Sequence, residues 1–531
     1  MPVRPSTAPI DTLITGLIKA LMLSLVFLMC QPSHTSGETS QQLDSTELTV
    51  LNAAEVAVQI GRQFTDSVWP GYNLNHAPFI AYIPEKWVLL ANVPHVVEGF
   101  TDCPSTWPPL STHALYHQGQ LGQLSGQLAF NLQVDSFRVT AVGFLGYDYR
   151  RFLELIIHEN FHQFQFLNFG NIPWAREELY PVEDAVNTSL ANLEMLVLRD
   201  ALRLFAEAEE DSARAMVAQF VAVRNLRWKQ ADPWVSRYEQ GQEINEGTAQ
   251  YVQIKGMSMV PRLDMPADWS GPVRTLIEAP EPLAADKAVI RALERLIEGG
   301  CLIPRDVPRN RIYAVGAAQG LLLDLLGVDW KPTAQQAGTE FAFAGLMADA
   351  VNIDSSKLNA LAASARAHYK YDALLKLTRK QIVEYRQGFS QDSTAFASQT
   401  GYRITINMSG RNLRRSGTSF SNKWLVDNGS MKLVNLYNLY VLQSTAGEDL
   451  HFQLKDAALL ELNDWQVRDK TLVFYCDNIT TCETDGITQE IGSQVSSPFG
   501  GLHIAGDNFS LDAVRQGAIS ISDDAITIDL K

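Results

Sequence analysis

The stretch Glu154-Leu-Ile-Ile-His158-Glu159-Asn160-Phe161-His162-Gln163 sets two imidazoles four residues apart, with a carboxylate between them, inside a segment of helical periodicity. Residues four apart on a helix share a face, so both rings reach one Zn2+ while Glu159 stands beside it. Zinc lowers the pKa of a water, and a carboxylate next to that water takes its proton as it attacks a carbonyl carbon. His158 and His162 are therefore expected as metal ligands and Glu159 as the general base. Among the remaining histidines only His113 and His117 repeat this spacing. They lie in a Pro- and Gly-containing region with no acid between them, and are read as ordinary histidines. The sequence has no G-x-S-x-G nucleophile motif.

A tetrahedral catalytic zinc needs a third protein donor. The segment Asn245-Glu246-Gly247-x-Ala249-x-Tyr251 resembles the N-E-G-x-A-x-Y segment with which the aminopeptidase branch of the gluzincin metallopeptidases supplies its glutamate ligand. Together with the H-E-x-x-H, this resemblance implies Glu246 as third ligand, one Zn2+ per chain, a zincin-like fold and peptide-bond hydrolysis. In those gluzincins the glutamate follows the second histidine by about twenty residues. Here roughly eighty intervene, so the resemblance covers two short motifs and not the chain. The amine-recognition motif of the aminopeptidases has no counterpart near residues 100–145, and exopeptidase action is not implied.

Glu239, Glu243 and Glu246 recur at i, i+4 and i+7 and share one helix face. Glu243 is expected to hold a ligand histidine through a hydrogen bond from behind. Glu239 has the same option or belongs to a solvated acidic stripe. Gly247 and Ala249 are expected to let the helix of Glu246 approach the metal helix closely. For stabilising an oxyanion, Tyr313 and Arg311 just before a helix are the candidates by chemistry, and Tyr313 is the one carried forward.

These residues need positioning elements, and the periodicity changes along the chain supply them. Helical spacing over 47–66 is followed by strand-like runs at Phe79 to Ile83, Trp87 to Val93 and Leu128 to Phe144. The resemblance to zincin folds, which use their edge strand in this way, implies that the run Phe137 to Phe144 pairs with an extended substrate. From Tyr149 to about Glu384 the pattern is helical, broken at prolines. Beyond a Ser/Gln/Thr-rich stretch at 388–400, short alternating runs predict antiparallel β-structure. The expected fold class is α+β: a zincin-like, mainly helical metallohydrolase domain with a small β-sheet over 47–390, then a β-sandwich-like antiparallel domain over 396–531.

The chain has 531 residues, too many for one ordinary domain, and its net charge of -16 without a basic cluster argues against nucleic acid. Arg4 and Lys19, an apolar run from Ala20 to Met29 and a polar stretch after it have the layout of a secretory signal. Residues 1–35 are thus expected to be a signal peptide or N-terminal anchor, and the protein exported: periplasmic, extracellular or membrane-anchored facing outward. That segment is also where any membrane attachment is expected. In an exported chain the even set Cys103, Cys301, Cys476 and Cys482 predicts two disulfides, Cys476 with Cys482 and Cys103 with Cys301. The functional expectation is a zinc-dependent hydrolase, a metallopeptidase acting on a peptide or protein substrate. A zinc amidase for a non-protein substrate and a zincin-fold binding protein without activity are the alternatives.

Overall fold

The computed structural model describes residues 43–530 apart from 76, 120, 122–123, 125–127, 147, 171–176, 178–179, 266–269, 280–281, 409–413, 428–431, 446–449, 465–468 and 492–494. The expected signal segment, 1–35, lies outside them. No helix among the described residues is long and apolar enough to cross a membrane. Residues 43–531 cluster as one unit, mixed α+β in class.

Helix α1, Ser45–Gln63, starts with a reciprocal cap: Asp44 accepts from the Glu47 backbone N–H at 2.9 Å, and Glu47 accepts from that of Asp44 at 2.7 Å. It lies against a six-stranded sheet in the order β3-β4-β2-β1-β6-β5. The strands are β1 Phe79–Ile83, β2 Trp87–Ala91, β3 Thr101–Asp102, β4 Ala114–Gln118, β5 Leu128–Val134 and β6 Phe137–Gly143. Phe79, Ala81, Trp87 and Leu89 enter the core shared with the helices, while Ile80, Tyr82, Val88 and Leu90 enter a second core on the opposite face. Burial on both faces explains why β1 and β2 read as unbroken apolar runs and not as alternation. Strand β6 lies inside the sheet, parallel to β1 and antiparallel to β5. Its backbone groups are thereby used, so it is unable to take up an extended substrate as expected; β5 is the edge.

From β6 the chain enters helix α2, Tyr149–Asn168, and then α3 Ala185–Ala206, α4 Glu210–Gln230 and α5 Pro233–Gln242. Helix α5 runs through a π-helical turn, Glu243–Gly247, into α6 Thr248–Met259. Then follow α7 Ser270–Glu278, α8 Ala285–Leu296, α9 Asn310–Leu325, α10 Lys331–Ala337, α11 Phe343–Ala350, α12 Leu358–His368 and α13 Tyr371–Ala397. Helix α13 carries straight through the expected change of texture near 395.

The C-terminal strands are β7 Tyr402–Met408, β8 Arg414–Asp427, β9 Lys432–Thr445, β10 Leu450–Asp464, β11 Asp469–Cys476, β12 Ile479–Thr484, β13 Ile487–Thr488, β14 Val495–Phe499, β15 Leu502–Gly506, β16 Phe509–Ala513, β17 Gly517–Ile521 and β18 Ala525–Leu530. They form one sheet, antiparallel except for the β7/β18 pair. Strand β10 pairs with β16 over Leu450 to Leu454 and with β11 over Leu460 to Asp464; between the two lies Asp456, at φ 44°. Handing one strand from one neighbour to another at a bend turns the sheet on itself. Phe474 of β11 consequently meets Phe452 of β10 at 5.8 Å and Phe509 of β16 at 5.0 Å between ring centroids.

Cys103, Cys301, Cys476 and Cys482 are unbridged in the structure, in place of the two disulfides expected. Cys476 closes β11, and its thiol donates to Asn478 O at 3.0 Å. Cys482 lies on β12, which pairs with β13 and β15 and not with β11. Cys103 follows the edge strand β3 and donates to Ala114 O, whereas Cys301 is buried near Thr378 of α13.

Candidate metal centre

Helix α2 is started by Asp148, which accepts from the Arg151 backbone N–H at 2.8 Å. Phe152, Leu153, Ile156, Ile157 and Phe161 bury its apolar stripe against α1, β6 and α6. Gly256 of α6 permits the close crossing, since a Cβ there would stand 3.3 Å from Ile157 Cγ2. With that stripe fixed inward, His158, Glu159 and His162 face the π-helical turn of the α5–α6 helix.

That turn delivers Glu246. His158 Nε2 and His162 Nε2 lie 3.2 Å apart, and Glu246 Oε2 is 3.4 Å from the first and 3.3 Å from the second. Three donors on one tetrahedral zinc at about 2.0–2.1 Å lie roughly 3.3–3.4 Å from one another. Two imidazoles and a carboxylate are also the donor types that zinc takes. The chemistry and spacing of these residues therefore fit the metal that the motifs imply. Among the described residues this is the one group of three or more His, Cys, Asp or Glu side chains spaced to hold a metal ion.

Comparison with protein-family models, curated proteins and solved structures gives no match.

Glu159 is buried next to the three donors, and its Oε2 has no hydrogen-bond partner. Burial pushes its carboxyl up, with His162 and His158 opposing. Burial also works against charge on Glu246, yet His162 and His158 hold that carboxyl well below the usual range. Burial works against charge on His162, but Glu246, Glu159 and Gln165 together outweigh it and lift the imidazole to about 9. Tyr313, from the first turn of α9, stacks on His158 with ring centroids 5.7 Å apart. Burial, followed by the nearby Glu246 carboxylate, keeps its phenol protonated far above its ordinary pKa.

Glu243 lies elsewhere than expected. Its Oε2 accepts from Arg224 at 2.8 Å and Gln319 at 2.9 Å, and it touches neither ligand histidine. The π-helical turn rotates Glu243 and Glu246 apart, which breaks the common face that regular helical spacing predicts. The side chain on His162 Nδ1 is instead Gln165 Oε1, at 2.7 Å. Gln165 stands one turn from His162 at i+3, and that spacing was the available signal.

Glu239 is fully buried, so the solvated stripe is excluded. Arg227, Arg311, Tyr180 and Trp228 all donate to it. Glu194 of α3 accepts from Arg224 and Arg227. Arg311 thus belongs to this buried cluster, which corrects its candidacy as an oxyanion donor. Three guanidiniums and three carboxylates, Arg224, Arg227, Arg311, Glu194, Glu239 and Glu243, balance in charge directly behind the turn that carries Glu246.

The close approach allowed by Gly247 is also not to the metal helix. A Cβ on Gly247 would stand 2.7 Å from Gly316 Cα, so its partner is α9, the helix that brings Tyr313.

Proposed function

We propose that the protein is an exported zinc-dependent hydrolase, a metallopeptidase with a zincin-like catalytic domain acting on peptide or protein substrates. The observation that carries this reading is the near-equilateral triangle of His158, His162 and Glu246 donors, 3.2–3.4 Å on a side, flanked by Glu159 and Tyr313. His158, His162 and Glu246 would hold Zn2+, which when bound polarises a substrate carbonyl and acidifies water. Glu159 takes the proton of the attacking water through its unpartnered oxygen and returns it to the leaving amine. Burial raises its proton affinity toward the range in which a carboxylate passes protons both ways. Tyr313 keeps its phenolic proton and donates it as a hydrogen bond to the oxygen on which negative charge develops. Export rests on the N-terminal sequence pattern alone.

The test is metal analysis of the purified protein together with casein or peptide-library digestion, with and without chelator. The reading requires about one zinc per chain and proteolysis that chelator abolishes and zinc restores. Glu159→Gln is expected to keep the zinc while turnover drops by about 10²–10⁴-fold. Full activity in that variant overturns the mechanism.

A further inference from the structure

Gln165 is 1% exposed, and its amide spans from the metal helix to the turn that carries Glu246. Its Nε2 reaches Ile244 O at 3.0 Å, Asn245 O at 2.8 Å and Thr248 Oγ1 at 2.7 Å. Backbone carbonyls only accept, so the NH2 end of the amide is pinned to that side. The hydroxyl of Thr248 is itself committed as a donor to Ile244 O. The carbonyl end of Gln165 must then face His162 Nδ1, 2.7 Å away, and it offers lone pairs only. The hydrogen in that contact therefore belongs to Nδ1.

A neutral imidazole with its hydrogen on Nδ1 keeps its free lone pair on Nε2. That atom is the one 3.2 Å from His158 Nε2 and 3.3 Å from Glu246 Oε2. Both carbonyls lie in the π-helical turn: Asn245 O also accepts from the Thr248 backbone N–H and Ile244 O from the Thr248 hydroxyl, so Gln165 takes up the remaining acceptor capacity of each. One amide thus joins the second histidine and the backbone of the third donor.

We propose that Gln165 is the positioning residue of the metal centre: it sets His162 as an Nε2 donor and, with the same side chain, holds the π-helical turn so that Glu246 meets it. This rests on the metal-site reading given under the proposed function. Neither motif that points to the centre contains this residue.

The test measures zinc affinity by competition with a chromophoric chelator for the wild type, Gln165→Leu and Gln165→Glu. Histidine 15N–1H spectra of the 113Cd-loaded proteins accompany it. In the wild type, His162 is expected to couple to cadmium through Nε2 and to show an Nδ1–H signal protected from water. Gln165→Leu should weaken zinc binding roughly ten- to a hundredfold and lose that protection. Gln165→Glu keeps an acceptor for His162, so the Nδ1–H stays protected, while the lost donors to Ile244 and Asn245 leave zinc affinity below that of the wild type.

Unchanged affinity and a protected Nδ1–H in the Leu variant overturn the assignment. Should that variant fail to fold, the wild-type spectrum still decides, since cadmium coupling through His162 Nδ1 overturns it equally. A wild type that takes up no metal sinks the metal-site reading itself, an outcome distinct from zinc binding that is indifferent to residue 165.

Discussion

Glu243 and Glu246 are three residues apart and chemically identical, and their surroundings give them separate work. Glu246 Oε2 meets two imidazole nitrogens, whereas Glu243 neutralises Arg224 and accepts from Gln319 in a buried space. Glu246→Ala is therefore expected to abolish most zinc binding at neutral pH and to leave the urea midpoint of the metal-free protein little changed. Glu243→Ala should do the opposite. It leaves the buried cluster with one positive charge in excess, Arg224 being held by Glu194 and Gln319 alone, at a loss of about 3–5 kcal/mol, while the folded fraction still takes up zinc. The reverse order of severity in chelator competition and urea unfolding would transfer the ligand role to Glu243. Tyr313→Phe retains the ring stacked on His158 and removes only the hydroxyl. Turnover should fall by about 10²–10³-fold, the loss typical of one oxyanion donor, with zinc content unchanged; equal kcat in the two proteins would end its assignment.

At the scale of elements, the π-helical turn is wedged between two helices and a charge cluster. Gly247 and Gly316 leave no room for a side chain where the turn crosses α9. Gly316→Ala should lower stability by about 1–3 kcal/mol, as overpacking does, and separate Tyr313 from Glu246. Gly345, exposed on α11 with nothing within 4 Å of a built Cβ, is the control. Gly345→Ala should be neutral or stabilising by up to about 1 kcal/mol in thermal unfolding.

The charge cluster behind the turn makes a pH prediction. Burial opposes ionisation of Glu194 and Glu239, but Arg224 and Arg227 beside the first, and Arg227 and Arg311 beside the second, hold both below the usual range. Folded pKa values below the unfolded value of about 4.3 give stability that is complete above about pH 5 and is lost as pH falls toward the folded values. The metal-free protein should therefore lose urea resistance below about pH 4.5. Glu239→Gln should start less stable and show a shallower acid slope, and an identical slope in both proteins would contradict the account.

For the whole molecule, the boundary between helical and β regions is bridged as well as crossed. Trp424 of β8 packs on Tyr385 of α13 at 4.8 Å and donates to Asp392 at 2.6 Å, and Phe396 meets Tyr475 of β11 at 5.3 Å. The helical core and the β core nevertheless consist of different residues. A chain ending at Gln399 keeps α13 whole, and we expect it to bind zinc with wild-type stoichiometry but to melt at a lower temperature and to be less soluble. A chain ending at 390 removes the last turns of that helix and should be less stable still. Calorimetry of the three lengths, each with zinc analysis, checks this. Loss of zinc binding at 399 would make the β region a wall of the metal centre.

His158, Glu159 and His162 were legible in the sequence because their geometry is local: one helix with i, i+4 spacing fixes both rings and the carboxylate between them. Glu246 was legible only through the motif around it. Most helices and the strands β1, β2, β5 and β6 followed from apolar period, and the change to alternation after 400 marked the β region. What the sequence left open depends on contacts between distant segments. Regular helical spacing joins Glu239, Glu243 and Glu246 on one face, and the π-helical turn divides them between a buried charge cluster and the candidate metal centre. No local pattern says that Arg311 turns inward to Glu239 while Tyr313, two residues on, turns toward His158. Whether a strand is an edge, as for β6 and β5, depends on pairing across the sheet. These are choices among side-chain partners brought together by packing, and periodicity along a single segment carries no information about the segment it will meet.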